Sequence, residues 1–167
     1  MHAPAAVFAE RWLDGEHRPG GVMSESAARR RDAGGLPYLV VLGNQERPNA
    51  LIDVNWSLDF LRTWFLDDKL RRNLSYSFVR VDAKTLFLEQ ITLWEYPEDA
   101  VRDLDTAARV TTLTYNEDGV VHEAIDDSLT ETEEVISRSA VPLDINWEQV
   151  PTFGDWSRVS RRDRESG

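Results

Sequence analysis

From Leu36 onward, apolar and polar positions alternate in short runs: PYLVVLG, ALIDVNW, LDFLRTWFL, NLSYSFVRV, TLFLEQITLWEY, ARVTTLTY, GVVHEAI and TETEEVISRSA. β-Branched and aromatic residues dominate these runs, and turn formers such as DDKL and NEDG separate them, a pattern that predicts eight strands. No helical periodicity intervenes. Eight short strands joined by tight loops predict a mainly β fold, an antiparallel up-and-down barrel whose closure removes the open strand edges.

The flanks read differently. Ahead of the strands, Ala5, Phe8, Ala9, Trp12 and Leu13 recur at helical spacing after Pro4, and Gly15 ends the run, which predicts a short N-terminal helix. The polar, glycine-bracketed stretch GEHRPGGVMSESAARRRDAGG then reads as a mobile linker or lid, with one helical turn at Ala27–Arg30 and its arginines facing water. After the strands, Trp147, Phe153 and Trp156 lie between turn formers. Exposing all three would leave a large apolar patch, so they predict an aromatic strap across the barrel. Arg158, Arg161, Arg162 and Arg164 follow, placed to reach acidic surface. The expected organisation is a helix and linker over 1–35, the barrel over 36–145, and the strap with a basic tail over 146–167.

Over Leu36 to Trp156 this layout resembles the small lipocalin-like, or calycin, β-barrels. Their Gly-x-Trp triplet, usual near the first strand, occurs here at Gly154, Asp155 and Trp156, at the far end of the chain. The resemblance implies a barrel that encloses a small apolar or aromatic ligand. An opening helix followed by curved strands suggests the alternative layout, an NTF2-like α+β cone.

Length and charge narrow the function classes. A chain of 167 residues with 41% hydrophobic content suits one domain with a sizeable core. Its net charge of −11 opposes binding to a phosphate backbone, so no nucleic-acid partner is expected. The charge is concentrated: residues 89 to 134 hold 14 of the 30 acids and only Arg102 and Arg109 as basic residues. That segment reads as a solvated face or as a docking surface for a basic protein. No apolar run approaches the roughly 20 residues of a membrane helix, and no basic leader precedes an apolar signal core. A cytoplasmic protein is expected, with no membrane partner. With no cysteine there is neither a disulfide nor a thiolate nucleophile. Only two of the 19 basic residues are lysine, a composition that suggests a GC-rich bacterial source.

Candidate chemistry centres on LFLEQITLWEYPED, where Glu89 sits mid-strand and Glu95 sits at a strand end open to water. An even-length loop before this strand would place Leu74, Tyr76 and Phe78 on one face with Phe87, Glu89 and Ile91. An even loop through NEDG would likewise place Leu113 and Tyr115 beside Val120, His122 and Ala124. An odd loop reverses either grouping. If both faces point inward, Glu89, His122, Tyr76 and Tyr115 form a catalytic acid/base set, because an acid in apolar surroundings is held toward the protonation state that proton transfer needs. Phe78, Trp94, Trp64 and Leu113 are the expected substrate-binding residues, giving an aromatic wall with a few placed polar groups. A histidine metal site would need His2, His17 and His122 to converge, and two of these lie in segments read as mobile, so no metal is expected; no cofactor-binding loop is present.

The expectation is therefore a small-molecule-binding barrel acting as a cofactor-free cyclase, isomerase or dehydratase on an apolar or aromatic substrate in a specialised bacterial pathway. The alternatives are a non-catalytic ligand carrier and an acidic, inhibitor-like or immunity-like factor that binds another protein. A homodimer is compatible with each.

Overall fold

The computed structural model describes residues 5–100 and 103–164. The described residues are mainly β, with one short α-helix. Its strands are β1 (Ala6–Ala9), β2 (Arg11–Leu13), β3 (Arg18–Gly20), β4 (Tyr38–Asn44), β5 (Arg47–Asn55), β6 (Phe60–Leu66), β7 (Arg72–Arg80), β8 (Thr85–Glu95), β9 (Arg109–Tyr115), β10 (Val121–Asp127), β11 (Thr132–Arg138) and β12 (Trp147–Gln149). The helix, α1, spans Glu25–Ala33. All eight runs read from the sequence are strands, β4 to β11.

These eight form an unbroken antiparallel meander in chain order. β1 extends it beyond β4, and β12 adds to the first residues of β8. Among the described residues β1 and β11 end the sheet without pairing with each other, so the hydrogen-bonded order is a path with two ends in place of the expected closed ring.

The sheet buries apolar side chains on both faces, which is why YLVVLG and ALIDV read as continuous apolar runs. On the first face Phe8, Tyr38, Val40, Leu42, Ala50, Ile52, Val54, Leu61, Phe65, Tyr76, Phe78, Leu86 and Leu88 form the main core. Ala28 of α1 and Trp156 and Val159 of the C-terminal segment cover it, with Phe153 packed against them. On the second face Ala9, Trp12, Leu39, Val41, Leu51 and Trp64 form a smaller core. Each fully buried Leu, Val or Phe contributes roughly 1.5 to 3 kcal/mol, so the central strands β4 to β8 hold most of the stability. The β9–β11 wing is different: no residue of β9 or β11 is buried, and only Val121 of β10 is.

The N-terminal helix expected over Ala5 to Leu13 is replaced by β1 and β2. Phe8 enters the first core and its neighbour Ala9 the second, an alternation that only a strand crossing between two layers provides. The helix instead lies inside the expected linker. Ser24 caps it, its hydroxyl accepting from the Ala27 N–H at 3.1 Å; Glu25 occupies the first turn, Arg30 and Arg31 the last, and Gly34 follows. It therefore contains the helical turn expected at Ala27–Arg30. Its arginines do not all face water alone, since the Arg29 guanidinium lies 4.5 Å above the Phe153 ring and Arg31 donates to the Pro37 carbonyl at 2.9 Å. Phe153 and Trp156 do strap the sheet. Trp147 stays 42% exposed in β12, its ring 4.8 Å from that of Phe87. Arg158 and Arg164 pair with Glu148 rather than with the acidic middle of the chain.

Candidate functional site

Two hairpins decide which side chains share a face, and both loops are odd. Arg80 pairs with Leu86 and Tyr115 with Val121, leaving five residues in each loop. In the second loop Gly119 adopts φ +87, a conformation glycine takes at little cost, and its N–H closes onto the Asn116 carbonyl. Leu113 therefore faces the same side as Glu123, and His122 points to the opposite face from Tyr115, correcting the expected grouping. In the first hairpin Phe78 pairs with Leu88 instead of aligning with Phe87. A β-bulge then inserts Glu89 as an extra residue, after which Tyr76 pairs with Ile91 and Leu74 with Leu93. The expected partnership of Tyr76 with Ile91 thus holds beyond the bulge, while that of Phe78 with Phe87 does not.

The expected site residues consequently divide. Tyr76, Phe78, Leu113 and Tyr115 lie on the first face. Phe78 is wholly core, and the buried Tyr76 hydroxyl donates to the Arg162 carbonyl of the strap. Burial pushes the phenols of Tyr76 and Tyr115 up from their ordinary value. Trp64, Trp94 and His122 lie on the second face. The Trp64 and Trp94 rings stand 5.4 Å apart, and the exposed His122 shares a 2.8 Å hydrogen bond between its Nδ1 and Ser137 Oγ. Half-buried Glu89, at the bulge, interacts electrostatically with Arg62. The sheet separates the two tyrosines from His122, so the acid/base set does not converge on one substrate.

Direct cross-strand pairing instead aligns Asp53, Arg62, Ser77, Gln90, Thr114, His122 and Ser137 in one polar row across the second face. At its β5 end the row joins a charged cluster. The Trp64 indole N–H donates to Asp53 Oδ2 at 2.8 Å, and Arg62 donates to Ser77 Oγ at 2.9 Å. The guanidiniums of Arg62 and Arg72 lie 5.2 and 4.8 Å from the Trp64 ring, within cation–π range. Burial pushes the Asp53 carboxyl up, against the opposing pull of Trp64, Arg62 and Arg72.

Arg72 carries the cluster to the surface. Its backbone N–H and Nε donate to Asp103 Oδ2 at 3.0 and 2.7 Å, its Nη2 meets Asp14 Oδ1 at 2.5 Å, and its carbonyl accepts from Tyr96. The Tyr96 phenol, pushed up to about 12 by burial, also accepts the Leu104 N–H at 2.8 Å, which fixes the 103–106 turn over β7. Between this turn and the β2–β3 hairpin opens a cleft of about 470 Å³ lined by Asp14, Gly15, Arg72, Asp103, Leu104 and Asp105. Leu104 packs against the small core that contains Trp64. A second hollow of about 480 Å³ borders Ala83, Lys84 and Gln149–Thr152, but only the first has a buried charged pair in its wall, Arg72 with Asp103.

Asp53, Arg62, Arg72, Asp103 and Asp14 were not singled out from the sequence. A signal was present in ALIDVNW and LDFLRTWFL, where a charged residue interrupts an apolar strand just as Glu89 does. Asp14 and Asp103 lie in loops and carry no such mark. Among the described residues no group of three or more His, Cys, Asp or Glu is arranged to hold a metal ion, and no helix is long and apolar enough to cross a membrane.

Fold and cleft together define an antiparallel β-sheet protein with a charged, tryptophan-backed cleft at one flank. Compared with known protein families, curated proteins and solved structures, the chain matches none of them.

Proposed function

We propose that the protein binds a small aromatic ligand in the cleft between the β2–β3 hairpin and the 103–106 turn. The observation that carries this reading is the cleft itself: about 470 Å³, in the size range of small-molecule sites, with a fixed guanidinium in its wall and paired indoles behind it. The unbroken meander β4 to β11 is the part of the lipocalin-like layout that supports it. On this reading the ligand lies between the β2–β3 hairpin and the 103–106 turn instead of inside a barrel. Binding is favoured over cyclase, isomerase or dehydratase chemistry because Tyr76 and Tyr115 lie across the sheet from His122.

The test uses 2-naphthol, a neutral bicyclic probe, with the intact chain. Saturable binding should shift the indole N–H resonances of Trp64 and Trp94. A side chain added at Gly15, where nothing lies within 4 Å of a Cβ, would occupy the cleft without disturbing the fold. Gly15→Phe should weaken binding by at least about tenfold. Unchanged binding in that variant, or shifts confined to the neighbours of Tyr76 and Tyr115, would place the ligand elsewhere.

A second reading, an acidic protein-binding factor, draws on the β9–β11 wing. Residues 109 to 138 carry eight acids against two arginines, and the outer edge of β11 is unpaired among the described residues. A basic partner strand fits that edge better than a second copy of this chain, which would oppose like charges. Capture of a basic protein that weakens steeply with salt would favour this reading over the cleft.

A further inference from the structure

Arg72 holds two carboxylates of unequal standing. Asp103 is 5% exposed and takes the backbone N–H, Nε and, at 3.4 Å, Nη2 of the arginine. Asp14 is 55% exposed, touches only Nη2, an atom it shares with Asp103, and rides on a hairpin whose strands are three residues long. The guanidinium itself is 10% exposed and is held without Asp14: Asp103 fixes its inner edge, the Trp64 ring lies at 4.8 Å, and Tyr96 clamps the backbone carbonyl. It is therefore a preorganised carboxylate receptor whose outer position is filled by a loosely tethered residue of the same chain.

Resting on the cleft reading above, we propose that the ligand carries a carboxylate, which displaces Asp14 from Arg72 while its ring lies toward Leu104 and the Trp64–Trp94 pair. Asp14 stands in for the ligand's acid group in the structure described. Displacement costs little, because one carboxylate replaces another on the same guanidinium and Asp14, 55% exposed, returns to water. The charge balance at Arg72 is preserved: the ligand's carboxylate takes the position that Asp14 leaves, beside the same Arg72–Asp103 pair. Asp105, also on the cleft wall, is exposed, and water and salt screen it.

Removing Asp14 should thus strengthen binding of a carboxylate relative to a neutral ligand of the same shape. Loss of a side chain that merely braced the cleft would weaken both alike. The experiment titrates 2-naphthoate and 2-naphthol into the wild type and into Asp14→Ala, an exposed substitution that leaves the core untouched. Naphthoate should bind the wild type at least about tenfold more tightly than naphthol. Asp14→Ala should raise the ratio of naphthoate to naphthol affinity about two- to fivefold. Arg72→Gln should abolish the preference for naphthoate; since that variant unpairs buried Asp103, the Asp14→Ala result decides where Arg72→Gln fails to fold. Equal affinity for the two probes, or a ratio in Asp14→Ala no higher than in the wild type, overturns the carboxylate assignment and leaves the cleft reading standing. If neither probe binds, both fall.

Discussion

Glu148 and Arg164 meet at 3.1 Å with side chains only 4% and 2% exposed, so the end of the described chain is buttoned onto β12 from inside the protein. Arg164 also donates to the carbonyls of Ile145 and Arg158, and Arg158 reaches the same carboxylate at 3.3 Å. Glu148→Gln leaves the buried guanidinium without its counter-charge, which costs about 3 to 5 kcal/mol. Burial pushes the Glu148 carboxyl up, but the Gln149 amide and the two arginines outweigh it and hold it below the usual carboxylate range. Such a group stabilises the fold above its unfolded value of about 4.3, and the stabilisation is lost as pH falls through the lower folded value. Urea midpoints of the wild type should drop below about pH 4 more steeply than those of Glu148→Gln. Parallel curves would show that the pair does not hold the strap.

Asp53 gives the opposite slope. Its carboxyl is pushed up by burial, so the folded protein holds that proton more tightly than the unfolded chain does. Stability from this residue is full below the unfolded value of about 3.9 and declines as pH rises through the folded one. Asp53→Asn keeps an acceptor for the Trp64 indole and removes the titration. Relative to wild type, the variant should gain stability as pH rises above about 4; a difference that stays constant with rising pH in chemical denaturation would contradict the assignment.

Why the strands were legible and the site was not follows from the same two hairpins. The runs from PYLVVLG to TETEEVISRSA mark strands through local composition, and composition survives in any register. Whether His122 joins Tyr115 depends on one residue of loop length, and whether Glu89 joins Phe78 depends on a bulge that no residue type announces. Each shifts side chains across the sheet without altering the apolar pattern. The N-terminal segment misled for a related reason: Phe8, Ala9, Trp12 and Leu13 have helical spacing, yet they also fit two short strands that feed the two cores in turn. Arg72 meets Asp14 and Asp103 only through tertiary structure, which spacing along the chain does not encode.

The acidic β11 should be separable from the cleft. Glu131, Glu133 and Glu134 are exposed, and none lines the cleft. Changing all three to Gln should alter stability by less than about 0.5 kcal/mol per site and leave naphthoate binding unchanged, as read by thermal melting and titration. A marked loss of naphthoate binding would make the wing part of the ligand site.

Asp32 is where α1 depends on a single side chain. Its Oδ1 accepts from the Tyr38 hydroxyl and from the Trp56 indole N–H, both at 2.7 Å, joining the last turn of the helix to β4 and to the turn that follows β5. The helix buries only Ala28, so apolar contact alone holds it weakly. Tyr38 remains a donor at any ordinary pH, because burial and the adjacent Asp32 push its phenol far up. Asp32→Ala leaves two buried donors unpaired, at about 1 to 3 kcal/mol each. Asp32→Asn retains an acceptor oxygen and should cost clearly less. In hydrogen exchange, the α1 amides of Asp32→Ala should open well before those of β4 to β8, whereas in the wild type the two sets should lie closer together. Wild-type exchange in the α1 amides of Asp32→Ala would mean that Ala28 and the Ser24 cap hold the helix without the carboxylate.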